Sequence, residues 1–488
     1  MKITPDCSTI MKLAETYSIV PVCREIYADV TTPITLLRKL SGFSERYYLL
    51  ESIEGGETWG RYSFLGYDPI MRVTCRNHRV FVEEKGETKI QETDDPLQVL
   101  REIMKDYHSP RLEGMPPFTG GFVGYFAYSM IGYAEPVLNI KKGTFPDYDV
   151  MLFDKVIAYD HLKQKICVIV NMKTDRIMEN YGEAMAEIER ITGVIRNTEV
   201  PAVPKVKENI HFTCNVSKEE YCRIVEKTKE YIKDGDIFQA VISRQFTSPM
   251  KGSLLNAYRV LRTTNPSPYM VYFHFDDQEL MSTSPETLVR LQDGRLTTFP
   301  VAGSRARGKT AEEDEALERE LLGDEKELSE HNMLVDLGRN DLGRISRFGS
   351  VEVTRYMMIH RYSKIMHICS QVEGEIEPEK DGLHAIEAVL PAGTLSGAPK
   401  IRACEIIEEL ENEERGIYGG ALGYLDFAGN LDTCIAIRMA VKKDGKVYVQ
   451  SGGGIVADSV PEKEYKESAD KASAVIQAIE RAEEVEEL

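Results

Sequence analysis

Three stretches, Ala421-Leu-Gly-Tyr-Leu-Asp-Phe427, Cys434-Ile-Ala-Ile-Arg-Met-Ala-Val441 and Val447-Tyr-Val-Gln-Ser451, decide the fold class. Each is short, rich in β-branched, aromatic or apolar residues, and closed by turn residues, so each reads as a strand. A helical pattern over about Glu462–Glu483 follows them. Upstream the same grammar recurs. Strand patterns lie near Arg46–Glu51, His78–Glu83, Val150–Asp160, Lys165–Asn171, Asp236–Phe246, Tyr269–Phe275 and Ser350–Thr354. Helical patterns lie near Met178–Arg196, Thr310–Leu322, Lys326–Leu337 and Lys400–Asn412, and Ser217 with Glu220 forms a capping-box pattern before another. Polarity often alternates along the strands. That favours antiparallel or mixed sheets with helices on one face, an α+β fold, over a doubly wound parallel sheet.

The chain has 488 residues, 42% hydrophobic and 28% charged, which is a globular composition. With 60 Lys+Arg against 79 Asp+Glu its formal charge is −19, which argues against nucleic acid or an anionic membrane as a bulk partner. No apolar run approaches the roughly 20 residues of a membrane helix. The polar Met1–Ile10 does not read as a signal peptide. The nine cysteines include no CxxC pair and read as reduced thiols of a cytoplasmic protein. Pro201 and Pro204, among Lys and Glu, mark a linker or crossover, which places an N-terminal region at 1–200 and a second region at 201–488.

Several segments suggest chemistry. Gly303-Ser-Arg-Ala-Arg-Gly-Lys-Thr310 matches the phosphate-loop spacing, but the following helix would open with Glu312, Glu313, Asp314 and Glu315, which repel a triphosphate. A basic turn before a solvated acidic helix is the competing reading. Glu327 and Glu330 share one helix face, and Glu464 and Glu467 repeat that spacing. They are either solvated glutamates or the carboxylates of a hard divalent cation such as Mg²⁺. Gly452-Gly453-Gly454 permits close backbone approach to a ligand, and Pro391–Pro399 ends at a helix N-terminus where an anion could sit. His367 lies in an apolar strand, where a histidine is more often a satisfied core or edge residue than a catalyst. Arg438, within the apolar Ile435–Val441, requires an anionic partner or complete hydrogen bonding.

Together these segments resemble the chorismate-utilising enzymes, and within them the synthase subunits of anthranilate synthase. The resemblance is carried by Lys326–Ile345, Pro391–Arg402, Gly416–Tyr424 and Gln450–Glu467, and it extends over nearly the whole chain. It implies an α/β sandwich of two intertwined subdomains with largely antiparallel sheets. It implies conversion of chorismate and ammonia to anthranilate and pyruvate through 2-amino-2-deoxyisochorismate, with Mg²⁺ holding the ring carboxylate. Carried over residue by residue, the metal glutamates are Glu330, Glu464 and Glu467, with Glu327 close by. The acid near C4 is Glu286, and the histidine of the signature is His367 rather than His384. Tyr418 and Arg438 hold the enolpyruvyl side, while Thr394 and Gly454 lie close to the carboxylates, with Gly452 and Gly453 alongside.

Two positions discriminate among the sister enzymes. Where isochorismate and salicylate synthases have a water-activating lysine, this chain has Gln239, and where aminodeoxychorismate synthase has its attacking lysine, it has Ala302, beside Gly303. Gln239 cannot act as a base, which points to ammonia as nucleophile, and the two absences together leave the anthranilate synthases. Ser304 stands where the family usually has threonine. Leu49–Ser52 and Asn265–Met270 resemble the two halves of a tryptophan site, giving Leu50, Glu51, Ser52, Pro268, Tyr269 and Met270 as inhibitor-binding residues; Trp59 is not itself a sign of that ligand. No cysteine sits in a GxCxGxQ context. Ammonia is therefore expected from a separate glutamine amidotransferase subunit, in a heterotetramer with two copies of each chain.

Overall fold

A computed structural model describes residues 3–52, 60–197, 199–204, 210–361 and 365–486. Gly55-Gly56, Trp59 and part of the proline segment lie outside them. Among the described residues, one sheet has thirteen strands and a second has twelve, and every strand pairing is antiparallel. Each sheet draws strands from both sides of the proline segment. In the first, Arg46–Glu51 pairs with Tyr269–Phe275, which continues through Gln278–Ser284, Met439–Lys443 and Lys446–Ile455 to Gln239–Pro249. In the second, Gly121–Phe126 pairs with Ala421–Asp426, followed by Leu431–Ile435, Thr287–Gln292, Arg295–Thr298 and Ile365–Glu375.

The strand alternation sorts side chains into layers. Along Arg46–Glu51, Tyr48 and Leu50 join a cluster with Val123, Tyr125, Phe153 and Phe273, while Tyr47 and Leu49 join another with Leu36, Ile188, Tyr258 and Ile479. A third cluster packs Leu97, Leu383, Ile386 and Val335 against Val150, Leu288 and Leu296. Helices thus cover the faces that the sheets turn away from each other; the antiparallel α+β class expected from the alternation and the sandwich implied by the resemblance are what form. The Gly-rich Phe118–Met130 run has the reason its composition suggested. A Cβ on Gly121 would lie 2.1 Å from the Leu425 carbonyl oxygen, and one on Gly124 equally close to that of Asp149. No helix among the described residues is long and apolar enough to cross a membrane.

The expected strand Cys434–Val441 requires correction. The chain leaves the second sheet after Leu431–Ile435 and enters the first at Met439–Lys443, with Arg438 between them at φ +47°. The apolar run is continuous because both ends are buried, each in a different sheet. A second crossing lies beside it, between Gln278–Ser284 and Thr287–Gln292, and it carries Pro285 and Glu286. The crossings are tied together: Ile435 N–H donates to the Glu286 carbonyl (3.0 Å), Thr283 N–H to that of Arg438 (3.2 Å), and Ser282 Oγ to that of Ile437 (2.8 Å).

Candidate active site

These paired crossings bring Glu286 and Arg438 together at a junction of the two sheets. The Thr394 hydroxyl, on the turn Gly393–Leu395, donates to Glu286 Oε2 at 3.0 Å. Burial raises the Glu286 carboxyl above an ordinary glutamate, while Thr394, Arg438 and Lys471 oppose that rise. His367, on Ile365–Glu375, has Nδ1 at 2.9 Å from the Gly303 carbonyl. A neutral imidazole in that contact carries its proton on Nδ1 and its basic lone pair on Nε2. Burial lowers the His367 pKa, and the Arg438 charge lowers it further. Arg438 therefore acts electrostatically on both the carboxyl and the imidazole.

The glutamates divide between two helices, Glu325–Gly343 and Pro461–Glu480, whose first turns come over the glycines of neighbouring strands. A Cβ on Gly303 would meet Glu327 Oε2 at 3.1 Å, and one on Gly453 would meet Glu464 Oε2 at 3.3 Å and Glu467 Oε1 at 3.9 Å. Burial raises the Glu330 carboxyl, with the Glu327 and Glu467 charges adding to it; burial likewise raises Glu464, again with Glu467 adding. Lys471 lies within the cluster, its Nζ 2.8 Å from Glu467 Oε1 and 3.2 Å from the Gly452 carbonyl. Among the described residues no three such side chains form a ready metal cage. Carboxylates gathered from two helices, Glu330 and Glu464 among them raised by burial and neighbouring charge, nevertheless suit a hard cation that keeps several waters.

Gly452, Gly453 and Gly454 pair with Ser243, Ile242 and Val241. Gln239 lies on the same strand as Val241, is buried, and leaves no room for a side chain at Gly454: a Cβ there would be 2.5 Å from Gln239 Nε2. Ala302 is buried opposite Ile368, next to the bulge that turns the Gly303 carbonyl toward His367. Tyr418 is buried, and its hydroxyl pKa is raised by burial, with Glu286 among the smaller contributors.

The phosphate-loop spacing is filled by the chain itself. Asp314 accepts from Arg307 (2.7 Å) and from the Gly308 amide (2.8 Å), and Glu313 accepts from the Lys309 amide (2.8 Å). Arg307 and the Gly308 and Lys309 amides are thus spent on the acidic helix that was expected to repel phosphate.

A separate cavity of about 100 Å³ collects Leu50, Glu51, Ser52, Pro268, Tyr269 and Met270 from two segments far apart in the chain. Glu51 lines this cavity and is also tied into the neighbouring layer. Its carboxylate accepts from Arg262 Nη2 (2.6 Å) and Tyr258 Oη (3.0 Å) on the helix side of the sheet. Asp432 also lines the cavity, and its Oδ1 accepts from the Tyr269 hydroxyl at 2.8 Å. Sequence reasoning missed Asp432, and also Lys471, Glu411 and Arg415. The signal for the last two was a charged pair four residues apart leading into the apolar Gly416-Ile417-Tyr418.

A buried acid, a histidine of fixed tautomer, an arginine and a carboxylate cluster around a glycine-lined strand form a site for a small polyanion, built for acid–base chemistry. The chain belongs to the chorismate binding enzyme family, whose model matches residues 45–477. It is 47% identical to anthranilate synthase component 1 of Acetivibrio thermocellus, over 99% of each chain. It is 45% identical to anthranilate synthase component 1 of Aquifex aeolicus, over the whole of both. Among solved structures it resembles anthranilate synthase component I from Streptococcus pneumoniae, with TM-score 0.76, 36% identity, and coverage of 92% of this chain and 98% of that one.

Proposed function

We propose that this chain is a carbon–oxygen lyase, the synthase component of an anthranilate synthase, converting chorismate and ammonia to anthranilate and pyruvate in the committed step of tryptophan biosynthesis. The observation that carries the reading is the convergence of Glu286, Arg438 and His367 at the sheet crossings, with Gln239 and Ala302 where related enzymes place a lysine.

Chorismate loses its C4 hydroxyl as ammonia enters at C2. Glu286 is suited to protonate the leaving oxygen, since burial favours its neutral form and Thr394 orients its carboxyl. Gln239 offers no base to activate water, so an already neutral amine is the nucleophile this site favours. In the second step a base removes the C2 proton, pyruvate departs and the ring becomes aromatic. His367 Nε2 is that base, held by the Nδ1 contact to Gly303 and neutral at physiological pH. Arg438 and Tyr418 bind the enolpyruvyl side, and the chain at Gly452–Gly454 lies against the ring carboxylate. Glu330, Glu464 and Glu467, with Glu327 beside them, would hold Mg²⁺, which when bound supplies positive charge for the ring carboxylate.

Ammonia comes from a separate glutamine amidotransferase subunit, in an assembly with two copies of each chain in the cytoplasm. L-tryptophan occupies the cavity at Leu50, Glu51, Ser52, Pro268, Tyr269 and Met270 as a feedback inhibitor, with Glu51 and Asp432 the acidic groups that line it. The test is product analysis after incubation with chorismate, ammonium and Mg²⁺ at high pH. Fluorescent anthranilate with pyruvate is expected; isochorismate, salicylate or 4-amino-4-deoxychorismate as the main product would overturn the reading.

A further inference from the structure

We propose that Arg415 is a positioning residue of this site, a buried guanidinium that holds the Thr394 turn and the Gln239 strand in one fixed relation. This rests on the reading of Glu286, Thr394 and Gln239 given above. Arg415 lies where three site segments meet, and its side chain is 1% exposed. Its Nη1 donates to the Leu395 carbonyl at 2.5 Å and its Nη2 to the Val241 carbonyl at 2.6 Å. Leu395 directly follows Thr394, the partner of Glu286. Val241 lies two residues beyond Gln239 and pairs with Gly454. The guanidinium also stands over the Tyr128 and Tyr418 rings, at 4.8 and 5.9 Å.

Its counter-ion extends the same frame. Glu411 receives Arg415 Nε at 2.9 Å and Nη2 at 2.6 Å. Glu411 Oε1 also accepts the Ser243 N–H at 2.7 Å and the Ser243 hydroxyl at 3.0 Å, and Ser243 pairs with Gly452. One ion pair thus ties down the backbone behind the acid's partner, behind the nucleophile-side glutamine and behind the glycine strand. A buried pair kept only for stability would be weakly warranted, because apolar replacements commonly serve as well. What distinguishes this one is where its donors go: two end on carbonyls within two residues of Thr394 and Gln239, which the proposed function places at the site. A guanidinium can span both in one plane, and an ammonium cannot.

The experiment compares Arg415→Lys, Arg415→Met, Thr394→Ala and the Arg415→Lys/Thr394→Ala double variant, with Glu286→Gln as reference. Folded fraction comes from circular dichroism and thermal melting, and kcat and KM are measured against pH per mole of free NH₃. Arg415→Lys should remain folded and lose at least about 10-fold in kcat with chorismate KM little changed, and a folded Arg415→Met about 100-fold, the cost of misplacing a catalytic group by an ångström. The Arg415→Lys and Thr394→Ala losses should be strongly non-additive, since both act through the same carboxyl. Releasing Thr394 from Glu286 should move the alkaline limb of the profile to higher pH. Arg438, Lys471, Tyr418 and Cys369, the other groups that act electrostatically with Glu286, are unchanged in these variants. Wild-type kcat in a folded Arg415→Lys, or losses that match the folded fraction at every pH and add fully to Thr394→Ala, would overturn the inference. Full activity in Glu286→Gln would instead overturn the reading of the acid on which it rests.

Discussion

Replacing Gly454 with alanine places a methyl group where the structure has no room for one. Its Cβ would stand 2.5 Å from Gln239 Nε2 and 3.1 Å from Gln239 Cδ, while ordinary contact begins at 3.4 Å. The Gln239 amide must therefore retreat by about 1 Å, a displacement that costs a positioned group about 100-fold in rate. Because Gln239 is buried, the overpacking should also cost about 1–3 kcal/mol of stability. Anthranilate fluorescence, with chorismate and ammonium varied separately, measures the first effect, and thermal melting the second. A further substitution, Gln239→Ser, removes the colliding amide. In the Gly454→Ala/Gln239→Ser protein the melting temperature should recover and the activity should not. Wild-type kcat/KM in Gly454→Ala, with an unchanged melting temperature, would refute the placement of Gln239 against the reacting centre.

Glu330→Gln and Glu467→Gln each remove an anionic oxygen at nearly constant size, so activity should fall at least about 10-fold, with a raised Mg²⁺ requirement and the fold retained; metal titration with circular dichroism checks both, and unchanged dependence in both variants would remove these residues from the site. In His367→Ala the aminated intermediate should accumulate, since only pyruvate loss is assigned to this base, and chromatography of single-turnover mixtures should find it. Burial lowers His367, so the acid limb of the wild-type profile should lie below the ordinary histidine value of about 6.5, with activity lost only as the ring is protonated at lower pH; a limb at or above that value contradicts the assignment. L-tryptophan at micromolar to millimolar concentration should inhibit, and Ser52→Phe, by filling the cavity, should weaken inhibition while leaving most activity intact; identical inhibition curves would place regulation elsewhere.

The antiparallel α+β class was legible because alternation along a strand is a local signal, while the two-sheet sandwich came from the family resemblance. Tyr48 and Leu50 facing one cluster while Tyr47 and Leu49 face another is a pattern any single strand displays. The sheet crossings were not legible. Cys434–Val441 is apolar throughout, and nothing within it says that its two ends belong to different sheets; the change occurs at Arg438 through a left-handed backbone conformation. The site was legible mainly through resemblance. Glutamates three apart are common in so acidic a chain, and only the meeting of two helices over Gly303 and Gly453 gives them a shared environment. The cavity at Glu51 shows the same limit. Glu51 was named from its own segment, but that its carboxylate is held by Tyr258 and Arg262, and that Asp432 from a distant strand lines the cavity with it, follows only from the strand pairing. Charge can be read along a sequence, whereas the face that carries it depends on pairing partners hundreds of residues away.

The most direct measurement of the central claim is isotopic. The purified chain is incubated with chorismate, Mg²⁺ and ¹⁵N-labelled ammonium, and both products are weighed by mass spectrometry and counted. The account predicts anthranilate one mass unit heavier than the unlabelled compound, formed in equal amount with unlabelled pyruvate. A hydroxylated product without nitrogen, or an aminated ring that keeps its enolpyruvyl group as the end product, would contradict it.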